Sequence, residues 1–375
     1  MTARDEMPER SPPSPTMTQL SPQHRVAILL HRGIRDGSGK TGLSFLRYGA
    51  SPVVALIDEE CRGESFTANR HDRPPEIPIV GSVSDALAYE PDVLLIGIAP
   101  SGGQLPAPWW EEVKLGVAAG LSVVNGLHQP MAEQFSRREG DGLQPGQWIW
   151  DVRQEPAGIP IGKGRARQLA GQRVLMVGTD MIVGKMSAGL ELWRAARQAG
   201  HATDFLATGQ SGIMIMGHGI PLDAVRVDFA AGAIEQQTLA QGQDCDLLWI
   251  EGQGSLLHPG STATLPLLRG SQPTDLILVH RSDRQTIHNC PQVTIPPLPE
   301  VVRLYEAVAA GAGAFPPARV RGIALNTVAL TKAAAKKAIA RVADDTGLPC
   351  TDVVRFGADP LLEAVLQGRE TSGSN

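Results

Sequence analysis

The sequence predicts an α/β protein of two domains, each built on a parallel sheet. Three observations carry this. Short apolar runs alternate with helical stretches, and glycine-rich turns close several of the runs. Apolar residues make up 42% of the chain and aromatics only 4%, a balance that suits Val-, Leu- and Ala-rich strands buried on both faces. The 375 residues exceed one ordinary core and suit two.

Taken in order, residues 1–22 are rich in Pro and Ser, charged, and lack an apolar h-region; they read as a disordered tail rather than a signal peptide. Val26-Ala27-Ile28-Leu29-Leu30 is a continuous apolar run, the pattern of a buried strand. A turn from Gly33 to Gly39 follows, then a short helix over Lys40 to Tyr48 and a strand from Pro52 to Ile57 ending at Asp58. That is one βαβ unit. It continues with a helical stretch from Val83 to Tyr89, a strand from Asp92 to Gly97, a loop from Ala99 to Pro108, a helix from Trp110 to Ala119 and a strand from Ser122 to Asn125. Strands alternating with helices imply parallel pairing with right-handed crossovers.

Residues 137–167 are rich in Gly, Pro, Arg and Gln and carry no long periodicity, so the domain boundary falls there. The expected division is 23–155 for the first domain, 156–370 for the second and 371–375 for a disordered end. The second series opens with Arg173-Val174-Leu175-Met176-Val177 as a strand and Lys185 to Gln198 as a helix. Strands are expected at His201 to Ala207, Asp246 to Ile250, Asp275 to Val279 and Arg321 to Asn326, with a helix over Lys332 to Thr346.

Between the first strand and helix of this series lies Gly178-Thr179-Asp180-Met181-Ile182-Val183-Gly184-Lys185. A glycine-bounded loop between strand and helix, closed by Lys, is the context of a phosphate loop. Glycines let the backbone curl so that N–H groups point inward, the helix start adds partial positive charge, and Lys185 adds a full one. The expected ligand-holding set is Gly178, Thr179, Asp180, Val183, Gly184, Lys185, Met186 and Ser187. Five residues separate the glycines, one more than in the common form. The position after the lysine, normally Ser or Thr for Mg²⁺, is Met186; Ser187 one step later points ~100° away on a helix. A simple ATPase is therefore disfavoured. A second match, Gly33 to Thr41, ends in Gly39-Lys40-Thr41, but its helix is short and interrupted by Gly42 and Gly49. It is either a second ligand loop or a glycine-rich turn at a domain interface.

Other strand ends supply chemistry. Glu251 follows a strand, where an acidic residue points into the ligand crevice of a parallel sheet and can serve as a general base or hold a metal through water; the bland alternative is a carboxylate capping a loop. His258 is the nearest imidazole on the same stretch. Ala207 to Ile213, with Gln210, suits a ligand-covering loop, and Asp228 to Gly232 with Glu235 resembles another such edge, or a helix start. Arg281 ends a strand and suits a carboxylate or phosphate. Asn326-Thr327 suits a purine edge or a helix cap.

Composition narrows the partners. The net charge of −5, from 34 basic and 39 acidic residues, leaves no footprint for nucleic acid. No apolar run approaches the ~18 residues a membrane helix needs. Cys61, Cys245, Cys290 and Cys350 form no C-x-x-C pair, which argues against a zinc site and a disulfide framework and suits a reducing cytoplasm. The expected partner is a small molecule, with no nucleic acid and no membrane, in a cytoplasmic homo-oligomer.

The loop Gly178 to Lys185 with Glu251-Gly252-Gln253-Gly254-Ser255 downstream resembles the dethiobiotin synthetase branch of phosphate-loop proteins, where Thr normally follows the lysine. A longer likeness runs through Val54 to Asp58, Ile96 to Gly103, Asn125-Gly126-Leu127-His128, Trp150-Asp151-Val152-Arg153, Gly178 to Met186, Ala207 to Gly212, Glu251 to Ser255, Gly322 to Thr327 and Val354-Arg355-Phe356-Gly357. These strings resemble the D-glutamate N-acetyltransferase family, long filed as a domain of unknown function; even Met186 fits its pattern. The resemblance implies a Rossmann-like N-terminal domain, a P-loop NTPase-like C-terminal domain, and acetyl transfer from acetyl-CoA to the amine of an acidic D-amino acid, a reaction of D-amino acid metabolism. Chemistry suggests Glu251 or Asp180 as the base, Lys185 with loop N–H groups for the developing anion, and Arg153, Gln210 or Arg281 for the acceptor. The alternatives are an ATP- and Mg²⁺-dependent kinase or ligase, and a nucleotide-binding regulator; the metal requirement is open.

Overall fold

A computed structural model describes residues 20–67, 76–100, 103–136 and 142–372. The N-terminal half contains β1 (Val26–Leu29), α1 (Gly33–Asp36), α2 (Lys40–Tyr48), β2 (Val53–Ile57), β3 (Ser65–Thr67), β4 (Glu76–Val80), α3 (Val83–Ala86), β5 (Val93–Ile96), α4 (Ala107–Ala118), β6 (Ser122–Asn125), α5 (Ala132–Ser136) and β7 (Ile149–Asp151). Its sheet runs β3-β4-β2-β1-β5-β6-β7, parallel except for the edge pair β3–β4. The strand order reverses at β1, so β1 and β5 border the switch point where a parallel sheet opens a crevice. β1 and β5 are buried along their whole length, as a strand covered on both faces must be.

The C-terminal half contains β8 (Gln172–Gly178), α6 (Lys185–Gln198), β9 (Thr203–Leu206), α7 (Gln210–Met216), α8 (Val227–Gly242), β10 (Leu247–Ile250), α9 (Thr264–Ser271), β11 (Asp275–Arg281), β12 (Thr286–Ile287), β13 (Cys290–Thr294), α10 (Leu298–Ala310), β14 (Arg319–Asn326), α11 (Lys332–Thr346), β15 (Cys350–Thr351), α12 (Val353–Phe356) and α13 (Asp359–Ser372). Its six-stranded sheet, β15-β14-β11-β8-β10-β9, is wholly parallel, and β12–β13 form a separate antiparallel hairpin.

The two halves share one apolar cluster. It runs from Ile28 and Leu46 in the first to Met176, Ile213 and Met214 in the second. Each such side chain contributes roughly 1.5–3 kcal/mol when buried, so the junction is held by core packing as well as polar contacts. α2 lies against α7, where Ser211 Oγ donates to Thr41 Oγ1 at 3.1 Å. Nearby, Tyr48 Oη donates to Glu191 at 2.9 Å and Arg47 pairs with the same carboxylate at 3.3 Å.

Several expectations need correction. Residues 1–19 lie outside the described residues, but Leu20 is buried in the core and the Ser21 carbonyl accepts from Ser51 Oγ at 2.9 Å, so 20–22 belong to the domain. At the other end α13 carries the chain through Ser372, and only 373–375 lie outside the described residues. Of the two readings of Asp228 to Gly232, the helix start holds and the strand edge does not: Asp228 lies in the first turn of α8, whose small residues Ala230, Gly232 and Ala233 are buried, while Glu235 lies within the helix. Ala207 to Ile213 is half loop and half helix, since α7 starts at Gln210.

Candidate functional site

The phosphate-like loop leaves β8 at Gly178. Its carbonyl accepts from Tyr305 Oη at 2.7 Å and Ser255 Oγ at 2.9 Å, which anchors the strand end. Thr179 is buried and turns its hydroxyl to His280 Nδ1 at 2.9 Å; burial pushes that imidazole down to about 4, so it stays neutral. Asp180 is fully buried. It accepts from Arg284 Nη1 and the His288 amide at 2.7 Å each and from the Met181 amide at 2.6 Å. Gly184 closes the loop at φ 108°, a left-handed region that favours glycine. α6 begins at Lys185, so its unpaired N–H groups and positive dipole end face the loop.

Lys185 is buried, and its Nζ donates to the Asp180 carbonyl at 2.8 Å. Burial pushes the ammonium down to about 8, opposed by the carboxylates of Asp180 and Glu251. Met186 packs against the shared core, and Ser187 lines a cavity. The position after the lysine thus offers no hydroxyl.

That cavity holds about 460 Å³ at the start of α6. Gly184, Ser187, Asn326, Asp352, Arg355 and Arg47 give it polar walls, and Val183, Ala188, Val279 and Ala324 are among its apolar ones. Asn326 is tied to the loop, Nδ2 donating to the Val183 carbonyl at 3.0 Å. Its volume falls in the range of small-ligand pockets. Of the residues expected to hold a ligand, Val183, Gly184 and Ser187 line this cavity, whereas Thr179 and Asp180 face inward.

A second constellation lies between the domains, at the carboxyl ends of both sheets. Glu251 follows β10 and is buried; one carboxylate oxygen accepts from the Thr208 amide at 2.8 Å and the Gly209 amide at 3.1 Å. Burial pushes its carboxyl up to about 7, against the pull of those amides and of Lys185, with the nearby charge of Asp223 adding to the push. Thr208 also accepts at its carbonyl from the Leu222 amide at 3.0 Å, which fixes the turn carrying Asp223. From the opposite domain, Arg153 follows β7, pairs with Asp223 at 2.6 Å and bonds His128. Gln210 packs beside Gly126, on the loop that carries His128.

The remaining candidates are placed elsewhere. Arg281 is held by Asp283 of its own turn at 2.9 and 2.7 Å. His258 accepts from the Gly260 amide at 3.0 Å and closes its own loop. The Gly33 to Thr41 turn is folded on itself: the Gly39 amide donates to the Gly33 carbonyl at 3.1 Å, and a Cβ on either glycine would meet the other within 3 Å. It leaves no cradle for a phosphate, and Thr41 serves the domain interface. Asp58 is likewise engaged by the Arg32, Ile34 and Glu60 amides. Among the described residues, no three or more His, Cys, Asp or Glu converge to hold a metal ion, and no helix is long and apolar enough to cross a membrane. Arg47, His128, Asp223, Asp352 and Arg355 were not singled out from the sequence. His128 and Arg355 sit in strings that carry the family likeness, which was the available signal; Asp223 sits in none.

Comparison with known proteins fits this arrangement. Residues 160–362 match the family described as domain of unknown function DUF1611, P-loop domain, and residues 59–155 match its N-terminal, Rossmann-like domain. The chain belongs to the DUF1611 family. A crystal structure of a DUF1611 family protein from Anabaena variabilis superposes with a TM-score of 0.86 at 57% identity, covering 92% of this chain and all of that one. Two family relatives carry the name D-glutamate N-acetyltransferase. The protein from Pseudoalteromonas sp. is 32% identical over 283 residues, 75% of this chain and 83% of its own length. That from Tritonibacter scottomollicae is 35% identical over 286 residues, 76% and 84% respectively. The two DUF1611 domains are thus the Rossmann-like and P-loop sheets described above.

Proposed function

We propose that this protein is an N-acetyltransferase that moves an acetyl group from acetyl-CoA to the amine of an acidic amino acid of the D-glutamate type. The observation that carries it is Glu251, a buried carboxyl held near 7 between the domains, with the charges of Lys185 and of Asp223, the partner of Arg153, acting on it. A base for an amine must ionise near working pH and sit where water is excluded. The names of the two relatives support the acyl-transfer reading.

The residues present fit the donor's nucleotide end. Gly184, the start of α6 and Lys185 suit phosphate groups, while Asn326, Arg355 and the apolar walls of the cavity suit a base and ribose. The donor supplies an activated thioester carbonyl. Glu251 accepts a proton from the acceptor's ammonium, which frees the nitrogen lone pair. A nitrogen–carbon bond then forms as the carbon–sulfur bond breaks; the sulfur leaves with the electron pair and takes up the second proton, which the acylated nitrogen gives up. In this reading Arg153 holds the acceptor carboxylate. Phosphates need only be bound here, so the apolar side chain at Met186 is no handicap.

The test is release of free thiol from acetyl-CoA with D- and L-glutamate and D- and L-aspartate as acceptors, beside phosphate release from ATP with Mg²⁺. Acceptor-dependent thiol release is expected. Acceptor-dependent ATP cleavage without thiol release would overturn the proposal in favour of a ligase or kinase.

A further inference from the structure

Arg153 and Asp223 meet across the domain boundary with spare capacity on both sides. Only Oδ2 of Asp223 contacts Arg153, its side chain is 43% exposed, and Oδ1 has no bonded donor among the described residues. Arg153 uses Nη1 for both Asp223 and His128, while its Nε is shielded from water and lacks an acceptor. The turn bearing Asp223 hangs from Thr208, the residue whose amide holds Glu251. Two carboxylates therefore flank one side of the crevice, and a guanidinium with an imidazole lies beside them.

This is the charge pattern of an amino-acid head group. A primary ammonium carries three donors, more than one base satisfies. A carboxylate matches a guanidinium edge. We infer that Asp223 is the ammonium-holding residue of the acceptor site, and that with Arg153 and His128 it reads the zwitterionic head of an amino acid across the two domains. The inference rests on the crevice being the acceptor site proposed above, and adds a specificity-determining residue to it. Glu251 takes the proton, whereas Asp223 keeps the nitrogen in place before and after that transfer. Its negative charge also favours the acceptor's ammonium over its carboxylates at this point of the crevice.

Glutarate has the two carboxylates of glutamate but no amine, so the pair isolates ammonium recognition. Binding of D-glutamate, L-glutamate and glutarate to the full chain is measured by calorimetry without acetyl donor. The wild type is expected to prefer one glutamate enantiomer over glutarate by at least ~10-fold, the scale of one charge-assisted contact. Asp223→Asn is expected to bring glutamate down to glutarate's affinity, leaving glutarate itself unchanged or tighter, and Asp223→Glu to restore part of the preference. In turnover, Asp223→Asn raises KM more than it lowers kcat, the mark of lost holding rather than lost proton transfer. A glutamate preference that survives Asp223→Asn overturns the inference, as does a wild type that binds neither glutamate or prefers glutarate. Selective glutamate binding that depends on Asp223, without any thiol release from acetyl-CoA, would uphold Asp223's role and sink acetyl transfer instead.

Discussion

Lys185 donates from Nζ to the carbonyl oxygen of Asp180, 2.8 Å away and five residues back in the same loop. The loop's one mobile charge is thus satisfied by the loop itself, and a ligand phosphate must draw it away. The exchange is favourable because a backbone carbonyl is a weaker partner for a buried ammonium than an anion is. Burial has already lowered the ammonium to about 8. A phosphate alongside raises it again, so binding at pH 8 to 9 takes up a proton.

The first prediction follows. Lys185→Ala weakens acetyl-CoA binding by at least ~10-fold, one charge-assisted contact's worth. In the wild type, affinity falls as pH rises through about 8, because the free protein then loses the ammonium that binding requires. Calorimetry in buffers of different ionisation enthalpy checks the proton uptake. Equal affinity at pH 7 and pH 9.5 would remove Lys185 from the donor site.

Glu251 yields a prediction with opposite signs for activity and stability. The base must be ionised, so kcat/KM rises with pH through about 7 and declines as Lys185 is lost near 8. Glu251→Gln should lower kcat roughly 100-fold or more. For stability, the folded value lies above the ordinary 4.5, so the native state holds this proton more tightly than the unfolded chain. That contribution is fully present below about 4.5 and is lost as pH rises through about 7. Glu251→Gln keeps an acceptor for the Thr208 and Gly209 amides without the charge. The variant should therefore gain on the wild type by about 1 kcal/mol above neutrality, with the gain shrinking toward pH 5. Thermal melts across pH read this directly; a pH-independent difference between the two proteins would show that Glu251 is not the titrating group.

A third prediction concerns the junction. Tyr48 Oη donates to Glu191 at 2.9 Å, and Arg47 and Arg194 stand over the Tyr48 ring at 5.2 and 4.7 Å. Burial, and then the Glu191 charge, push the phenol well above its ordinary value, so it remains a donor. Tyr48→Phe leaves the Glu191 carboxylate with only Arg47 and should cost about 1–3 kcal/mol. Glu191→Gln should cost less, and the double variant should cost less than the sum, since both remove one interaction. Strict additivity in urea unfolding would mean the contact does not hold the domains together.

Most of the fold could be read because parallel strands buried on both faces appear as unbroken apolar runs; Val26 to Leu30 and Asp246 to Ile250 have no other simple reading. Strands toward the rims of the first sheet were not legible. Glu76–Val80 includes Pro78, and Ile149–Asp151 is three residues long and only half-buried, so neither has an apolar run to show. The extent of α8 was not legible because its buried side mixes Ala and Gly with Glu235 and Thr238, which gives little periodic contrast. In the site, Lys185 and Glu251 stood out because motif spacing and strand ends carry positional information. Asp223 did not, since its partner Arg153 is seventy residues away in the chain and meets it only when the domains pack. The glycines of Gly33 to Gly39 left two readings open in the sequence, because close backbone approach serves a phosphate loop and a tight turn alike; here it serves the turn at the domain interface.

The last prediction uses a glycine that makes room for the base. A Cβ on Gly212 would stand 2.4 Å from Glu251 Oε2 and 3.1 Å from the Ala207 Cβ. Gly212 lies inside α7, where Ala is otherwise favoured by about 1 kcal/mol, and the close approach of Glu251 and Ala207 gives a reason for Gly there. Glu251 cannot swing aside freely, because its Oε2 is held by the Thr208 and Gly209 amides. Gly212→Ala must therefore pull the carboxylate off at least one amide, which displaces the base and alters its titration. We expect kcat to fall at least ~10-fold, given how steeply proton transfer depends on position, and the midpoint of the rising pH limb to move away from about 7. In a Glu251→Ala background only the 3.1 Å approach to the Ala207 Cβ remains, and the same substitution should cost less stability than it does in the wild type. If Gly212→Ala instead left kcat and the pH profile untouched while the protein stayed folded, the placement of Glu251 would not matter to turnover, and the base would have to be sought elsewhere in the crevice.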